Sequence, residues 1–472
     1  MPFDTIAAIA TPLGEGGLAV VRLSGAEALR ISDQCFVPAG GFALKPSSAR
    51  SHTIHFGHVV RSGLTIDEVL LSVMRAPRTY TREDIVELTC HGGMLPAKLI
   101  LDTVLALGAR LAEPGEFTRR AFLNGRLDLA QAEAVADLIH SQTDLALRAA
   151  NEQLAGKLSQ RINQLRDQMV QILAHVEAHI DFPEEDIAPD TREELVQRLE
   201  HGVQFIDRLL ETAPEGRILR RGIRVAIIGR PNAGKSSLLN QLLGHDRAIV
   251  SAVPGTTRDT IEETANIRGL PVVFIDTAGL REGRDEIEVE GIRRSRKSLE
   301  NAEMVLHVLD ASEPLTPADE HFLVESAQKK RILVRNKIDL PIRLELPQGL
   351  AASLEARSVM IPTPVASFPI VDVSCLTGQG IENLKDAIKA LVWSGGVGSE
   401  QLQVMINSRH QDALSRARAA TLRTLDALRT EQTLELVALD LRIAVNAVGE
   451  IVGKTTTEDL LDMIFSQFCI GK

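Results

Sequence analysis

Residues 229 to 236 read Gly-Arg-Pro-Asn-Ala-Gly-Lys-Ser, directly after the apolar run Val225-Ala226-Ile227-Ile228 and directly before Ser237-Leu238-Leu239. A buried strand, a loop of small residues and a helix start, in that order, make a phosphate cradle. Small residues let consecutive backbone N–H groups wrap phosphate oxygens, and the helix N-terminus adds its partial positive charge. In such a cradle Asn232, Ala233, Gly234 and Ser237 line the nucleotide, Lys235 neutralises the terminal phosphates and Ser236 ligates magnesium. The stretch therefore predicts a nucleotide-binding α/β domain built around it.

Three further segments follow in the order a GTPase needs. Asp276-Thr277-Ala278-Gly279 ends the apolar run 272–275, so Asp276 can reach the magnesium shell while the Gly279 amide meets the terminal phosphate. Asn336-Lys337-Ile338-Asp339 closes the run 332–334, and a carboxylate at Asp339 accepts from both N–H donors of guanine, which adenine does not offer. Ser374-Cys375 falls where a backbone amide meets the guanine oxygen, with cysteine in place of the usual alanine. Between cradle and sensor, Gly255-Thr256-Thr257-Arg258-Asp259 occupies the position of a mobile segment, with Thr257 as second magnesium ligand. After the sensor comes Leu280, which cannot orient a water as glutamine would, so another group must do so and offset phosphoryl charge. Asp285, Glu286, Glu288 and Glu290 are all candidates, and composition does not choose among them.

A length of 472 residues predicts about three domains. The first 120 residues carry short apolar runs, 18–23 and 69–74, between glycine and proline turns, and read as a small α+β domain. Residues 130–180 are proline-free, with Leu158, Ile162, Leu165, Met169, Ile172, Val176 and Ile180 at helical spacing; 191–212 and 408–451 are also helical in pattern. The expected layout is 1–124 α+β, 125–219 first helical part, 220–391 a Ras-like GTPase domain and 392–472 second helical part, with 213–216 and 394–398 as hinges.

Cys35, Cys90, Cys375 and Cys469 are scattered and form neither metal pairs nor a disulfide framework, as in a reducing cytosol. His52, His55 and His58 alternate faces on a strand and read as non-ligands. No run approaches the ~20 apolar residues of a membrane span, and Asp4 interrupts the N-terminus where a signal peptide would be apolar, so a soluble cytoplasmic protein without membrane contact is expected. The net charge of -11 argues against broad nucleic-acid binding, and 3% aromatic content against a base-stacking platform. An RNA substrate would need a local patch, for which Arg217, Arg220, Arg221 and Arg224 are available.

The chain resembles the potassium-activated tRNA modification GTPases of the MnmE, or TrmE, family over residues 4–472. The motifs that carry the resemblance are Gly-Arg-Pro-Asn-Ala-Gly-Lys-Ser-Ser, Gly-Thr-Thr-Arg-Asp, Asp-Thr-Ala-Gly-Leu-Arg-Glu and the terminal Phe468-Cys469-Ile470-Gly471-Lys472. The resemblance implies that Asn232, Thr256 and carbonyls around Ser251 and Val253 bind a potassium ion in place of an arginine finger. It implies that Glu288 aligns the hydrolytic water when two GTPase domains meet. It also implies insertion of the GTPase domain into the helical one and a homodimer through the N-terminal domain. A 5,10-methylene- or 5-formyl-tetrahydrofolate would sit on Arg22, Glu87, Arg126 and Lys472. A carboxylate such as Glu87 can grip the pterin's amidine-like edge while Arg or Lys meets the anionic tail. Position 126 is lysine in relatives, so Arg126 keeps charge and changes geometry. Cys469 is either a reactive thiol near the folate or a small buried residue fixing the tail; the second is favoured because free cysteine is usually structural.

Two functions remain. In the first, the chain hydrolyses GTP with magnesium and potassium and, in a heterotetramer with the flavin protein MnmG (GidA), acts on tRNA. There it would install a carboxymethylaminomethyl or aminomethyl group at C5 of the wobble uridine from the folate one-carbon unit. In the second it is a regulatory GTPase switch in ribosome assembly. That reading leaves the Cys469–Lys472 tail without a purpose, and no RNA-binding module accompanies it.

Overall fold

The computed structural model describes residues 4–12, 14–40, 44–181, 192–244, 262–275, 299–346, 368–393 and 404–472. The chain divides into two compact units, one of residues 1–136, 153–205 and 412–472, the other of 137–152 and 206–411.

In the first unit a mixed seven-stranded sheet runs β3-β4-β5-β6-β2-β1-β7, from β1 (Ile6–Ile9), β2 (Leu18–Ser24), β3 (Phe36–Pro38), β4 (Thr53–Arg61), β5 (Leu64–Met74), β6 (Ile85–His91) and β7 (Arg110–Leu111). Alternation along the strands assigns the faces. Ala19, Val21 and Leu23 of β2 and Val86, Leu88 and Cys90 of β6 join a core with Ile31, Ile100 and Val104 of helices Ala28–Cys35 and Met94–Ala106. The residues between them, Arg22 and Glu87, point to the other face, where Ile6 and Ala8 pack on Phe117 of helix Glu116–Leu123.

The helical segments depart from the sequence reading in continuity. Residues 130–180 break into helices Leu129–His140, Asp144–Leu154 and Lys157–Asp181. Thr143 accepts a hydrogen bond from the Ala146 amide, an N-terminal cap that favours a fresh helix start. Ser408–Arg429 and Leu434–Val452 likewise divide 408–451. The long helix Lys157–Asp181 buries Leu158, Ile162, Leu165, Met169, Ile172 and Val176 and packs on Leu434–Val452. An Arg442–Glu177 ion pair of 2.8 Å spans the two. Distant sequence segments thus share one apolar interface.

The second unit holds a six-stranded sheet, β13-β12-β11-β8-β10-β9, formed by β8 (Ile223–Ile228), β9 (Glu263–Ile267), β10 (Leu270–Phe274), β11 (Met304–Asp310), β12 (Lys330–Asn336) and β13 (Ile370–Asp372). All neighbours are parallel except β9 with β10. Both faces are covered, so β8 is apolar from Val225 to Ile228: Val225 and Ile227 share a core with Leu238, Leu242 and Ile388, while Ala226 and Ile228 share one with Val305 and Phe322.

The expected hinge at 213–216 is instead the first turn of helix Ala213–Arg221. Pro214 is tolerated there because first-turn amides need no intrahelical acceptor. A Cβ on Gly216 would lie 2.3 Å from the Ile406 carbonyl oxygen, so the junction is packed. Residues 394–398 lie outside the described residues. His52 precedes β4 rather than lying in it, and His55 and His58 face Thr53 and Glu68 respectively. Among the described residues no helix is long and apolar enough to cross a membrane.

One polar cluster fixes the start of the chain. Arg120, 2% exposed, reaches Asp4 at 2.8 Å, Glu116 at 2.9 Å and Glu83 at 3.3 Å. Hydrogen bonds from Arg110 and then Arg120 hold the Asp4 carboxyl below its ordinary range, against a desolvation effect. For Glu116 burial works upward, and bonds from Arg110, the Glu113 amide and Arg120 outweigh it, so its pKa is lowered too. Carboxyls with depressed pKa stabilise the fold above their unfolded values, and that contribution is lost as pH falls through the folded ones. Arg120→Met is expected to cost about 3 kcal/mol in urea unfolding, the low end for a broken buried pair because Asp4 and Glu83 keep some solvent access. It should also flatten the loss of stability as pH falls below the ordinary 3.8 of Asp4 and 4.5 of Glu116. Unchanged unfolding midpoints at neutral and acid pH would refute the role of the cluster.

Candidate nucleotide site and N-terminal ligand site

In the second unit β8 has β10 on one side and β11 on the other, so the strand order reverses at its carboxyl end, where open α/β sheets leave a ligand crevice. The loop 229–234 lies there and runs into helix Lys235–Leu243. Asn232 and Gly234 adopt left-handed φ values of 61° and 97°. A Cβ at position 234 would lie 2.1 Å from Asn336 Nδ2, so a side chain is excluded on both counts. Lys235 donates to the carbonyls of Gly229 and Arg230 at 2.9 and 2.8 Å, and burial lowers its pKa. Ser236 stands exposed at the helix start beside it, open to a cation.

Asn336 joins the cradle to the base-reading loops. Its Nδ2 donates to the Ala233 carbonyl at 2.9 Å, and its Oδ1 accepts from the Cys375 amide at 3.1 Å. Lys337 Nζ reaches Asp310 at 2.6 Å. Burial works upward on the Asp310 carboxyl, but bonds from Lys337 and Ser312 outweigh it and hold its pKa down. The Ser374 hydroxyl donates to Asp339 Oδ1, which orients that carboxylate. The Cys375 thiol is buried and pushed up to about 11, first by burial and then by Asp339. It serves as a small packing residue in a position where alanine is usual.

The structure thus brings together Asn232, Ala233, Gly234, Lys235, Ser236 and Ser237 as one group and Asn336, Lys337, Asp339, Ser374 and Cys375 as another, linked by Asn336. Ser251, Val253, Thr256, Thr257, Asp276, Thr277, Ala278, Gly279 and Glu288 lie outside the described residues. The last described residue before them, Ile275, is held to β8, its amide donating to Val225 O at 3.1 Å.

The N-terminal sheet carries a second cluster. Antiparallel register sets Arg22 opposite Glu87, and Nε meets Oε1 at 2.7 Å. The chain's last residues return to this face: Pro114 and Ile470 form a β-bridge, the Gly115 amide bonds Cys469 O at 3.4 Å, and Arg22 Nη1 bonds Gly471 O at 3.4 Å. Lys472 is half-buried, and its ammonium pKa is lowered by that burial and then by Arg22, with Glu87 opposing. Arg126 lies 4.8 Å over the Tyr80 ring, whose hydroxyl bonds Thr118 at 2.9 Å, and Arg22 lies 5.7 Å over Phe117. Two cations facing one carboxylate over aromatic floors suit a ligand with an amidine-like edge and an anionic tail. Sequence reading missed Tyr80, Phe117 and Thr118. Tyr80 is the only tyrosine in the chain, and that was the available signal. The favoured reading of Cys469 is corrected: it is exposed, because its carbonyl, not its thiol, anchors the tail.

The chain is similar to known proteins. A family model described as "MnmE helical domain" matches residues 129–469, and one described as "GTP-binding protein TrmE N-terminus" matches 5–126. A curated protein of Geobacillus thermodenitrificans, "tRNA modification GTPase MnmE", is 48% identical over 100% of this chain and 99% of its own. One of the same name from Levilactobacillus brevis is 45% identical over 100% and 98%. A solved structure, an Aquifex aeolicus Era variant bound to GDP.AlF4-, is 26% identical over 42% of this chain and 66% of that one at TM-score 0.25, a superposition too partial to bear on function.

Gly234→Ala should weaken binding of a fluorescent guanine nucleotide by about tenfold or more, on the order of the strain and displacement of Asn336. Thermal stability should fall as well, because the added methyl group displaces Asn336 from its hydrogen bonds. An unchanged Kd would refute the cradle geometry.

Proposed function

The chain belongs to the MnmE family of tRNA modification GTPases and is a GTP hydrolase acting in tRNA modification, and on that premise we propose that it is a potassium-activated member working in the cytoplasm with a flavin-dependent partner of the MnmG type. The two would act as a heterotetramer on the C5 position of the wobble uridine, leaving a carboxymethylaminomethyl or aminomethyl group. The protomers would pair through the N-terminal domain. The observation that carries this reading is the return of the chain's end to the sheet face holding Arg22 and Glu87, for which a regulatory switch has no use.

The residues act as follows. Lys235 exchanges the carbonyls of Gly229 and Arg230 for the terminal phosphates, trading weak acceptors for charged ones. Ser236, with Thr257, offers hydroxyls to magnesium. Asn232 offers its amide oxygen to potassium together with Thr256 and the carbonyls near Ser251 and Val253. Asp276 to Gly279 sense the terminal phosphate, and Glu288 holds the hydrolytic water. Asp339, oriented by Ser374, reads guanine. When bound, the cations supply positive charge beside the phosphates that Leu280 and its neighbours do not. In the N-terminal site Glu87 takes the ligand's donor edge through the oxygen Arg22 leaves free, and Arg22, Arg126 and Lys472 meet its anionic end. A tetrahydrofolate derivative fits that donor set and would supply the one-carbon unit.

GTP turnover of the purified chain should be much faster in potassium than in sodium at equal ionic strength. Asn232→Ala should abolish that difference with nucleotide affinity nearly intact; equal turnover of the wild type in both salts would sink the cation assignment. Asp339→Asn should weaken GTP and admit the xanthosine nucleotide, because an amide presents one acceptor and one donor where the carboxylate presents two acceptors. An unchanged base preference would remove Asp339 from base reading.

A further inference from the structure

We propose that Arg78 and Arg82, on the loop joining β5 to β6, form with Arg126 a subsite for a short polyanionic chain leaving the N-terminal ligand site, the γ-linked oligoglutamate tail that cellular folates carry. The inference rests on the folate reading of that site and adds the part of the ligand that reading leaves unplaced.

The loop and the turn at residues 124–126 are clasped together. Arg82 Nη1 donates to the Asn124 carbonyl at 2.9 Å, and Asn124 Nδ2 donates back to Thr81 O at 2.7 Å. Arg126 lies over Tyr80, which is halfway between Arg78 and Arg82 in the loop. The Arg82 and Arg126 guanidinium groups are therefore held on one rim, and Arg78 lies exposed on the same loop, two residues before Tyr80.

All three are exposed, and among the described residues none has a carboxylate within ion-pair distance. The nearby acids are taken. Glu83 is held by Ser24 and Arg120, Glu116 by Arg110 and Arg120, and Asp84 accepts from the Ala76 amide. Arg75 of the same loop is also spent, on the carbonyls of Ser47 and Ala49. In a chain of net charge -11, three adjacent arginines without a counterion are an unmatched local positive charge.

The backbone supplies an independent observation. Arg82 has φ 60°, a left-handed conformation that glycine or asparagine adopts more readily. That backbone conformation carries the Arg82 side chain across to the 124–126 turn, where one guanidinium nitrogen holds the Asn124 carbonyl and the exposed remainder stays at the rim beside Arg126. The rim is small, and it lacks the extended basic surface and aromatic platform that an RNA backbone would need, so a short oligoanion is the occupant it fits.

Exposed arginine–carboxylate pairs contribute a factor of a few each, so the rim should add about tenfold in affinity. The test is calorimetric titration of the full chain with 5-formyl-tetrahydrofolate as its monoglutamate and as its pentaglutamate, at low and high salt. The wild type should bind the pentaglutamate about tenfold more tightly, with the preference shrinking as salt rises. Arg78→Gln and Arg82→Gln should each reduce the preference, and the double variant should abolish it, with monoglutamate affinity unchanged. Arg82→Lys should keep most of it by keeping the charge. Equal affinity of the wild type for both forms, or equal weakening of both by the variants, would overturn the proposal. So would a preference that survives in variants that have lost tRNA affinity, which would make RNA the occupant. If neither form binds, the folate reading itself fails, a result distinct from binding without discrimination.

Discussion

The nucleotide site depends on one buried amide. Asn336, 2% exposed, holds the phosphate loop through Ala233 O and the base-reading loop through the Cys375 amide. These loops leave the ends of different strands, and the strand register sets where each loop begins but not how close their inner residues come. A buried side-chain amide with both ends satisfied does, because losing either partner leaves a desolvated polar group. The glycine at position 234 follows from the same constraint, since Asn336 Nδ2 occupies the space a side chain would take. Phosphate binding and base reading are therefore mechanically one site even though Ala233 and Asn336 are 103 residues apart in sequence.

The N-terminal unit solves a different problem. Its sheet buries one face under two helices and must hold charged groups on the other without losing the fold. It does so by giving each carboxylate a defined task. Glu83 and Glu116 answer Arg120, while Glu87 answers Arg22 and keeps one oxygen available. The returning tail brings Lys472 to that face, where partial burial makes an ammonium costlier to keep charged and so readier to take an anionic partner.

Much of this was legible in the sequence. The phosphate loop and the Asn336 to Asp339 segment follow apolar runs whose length and β-branching mark buried parallel strands, and their chemistry follows from residue type and spacing. The break of residues 130–180 into three helices was not legible, because the heptad-like apolar spacing continues across Thr143 and Gly156 while the interruptions are set by local caps and backbone. The helical character of 213–216 was hidden for the opposite reason: proline and glycine there signal a linker, and only packing on Ile406 reveals a helix start. Cys469 misled because buried is the usual state of a free thiol, whereas here the neighbouring main chain carries the contacts. Tyr80 could not be placed at all, since its role depends on the clasp between two segments more than forty residues apart.

The arginines show why a cluster in sequence and a cluster in space differ. Arg217, Arg220, Arg221 and Arg224 lie within eight residues and look like a basic patch. Folding gives Arg217 to Glu303, Arg220 to Asp137 and Arg224 to Glu262, each at 2.7 to 2.8 Å, so the patch is largely neutralised. Arg82 and Arg126 are over forty residues apart and drew no notice together, yet the clasp of their two segments sets them on one rim, with Arg78 exposed on the same loop and no ion-paired carboxylate for any of the three among the described residues. With 63 acidic and 52 basic side chains, most cations in this chain can find an internal partner. Where several exposed ones do not, they leave a local positive charge that an anionic ligand can use, and the position of the rim near Arg22 fits the ligand proposed for that site.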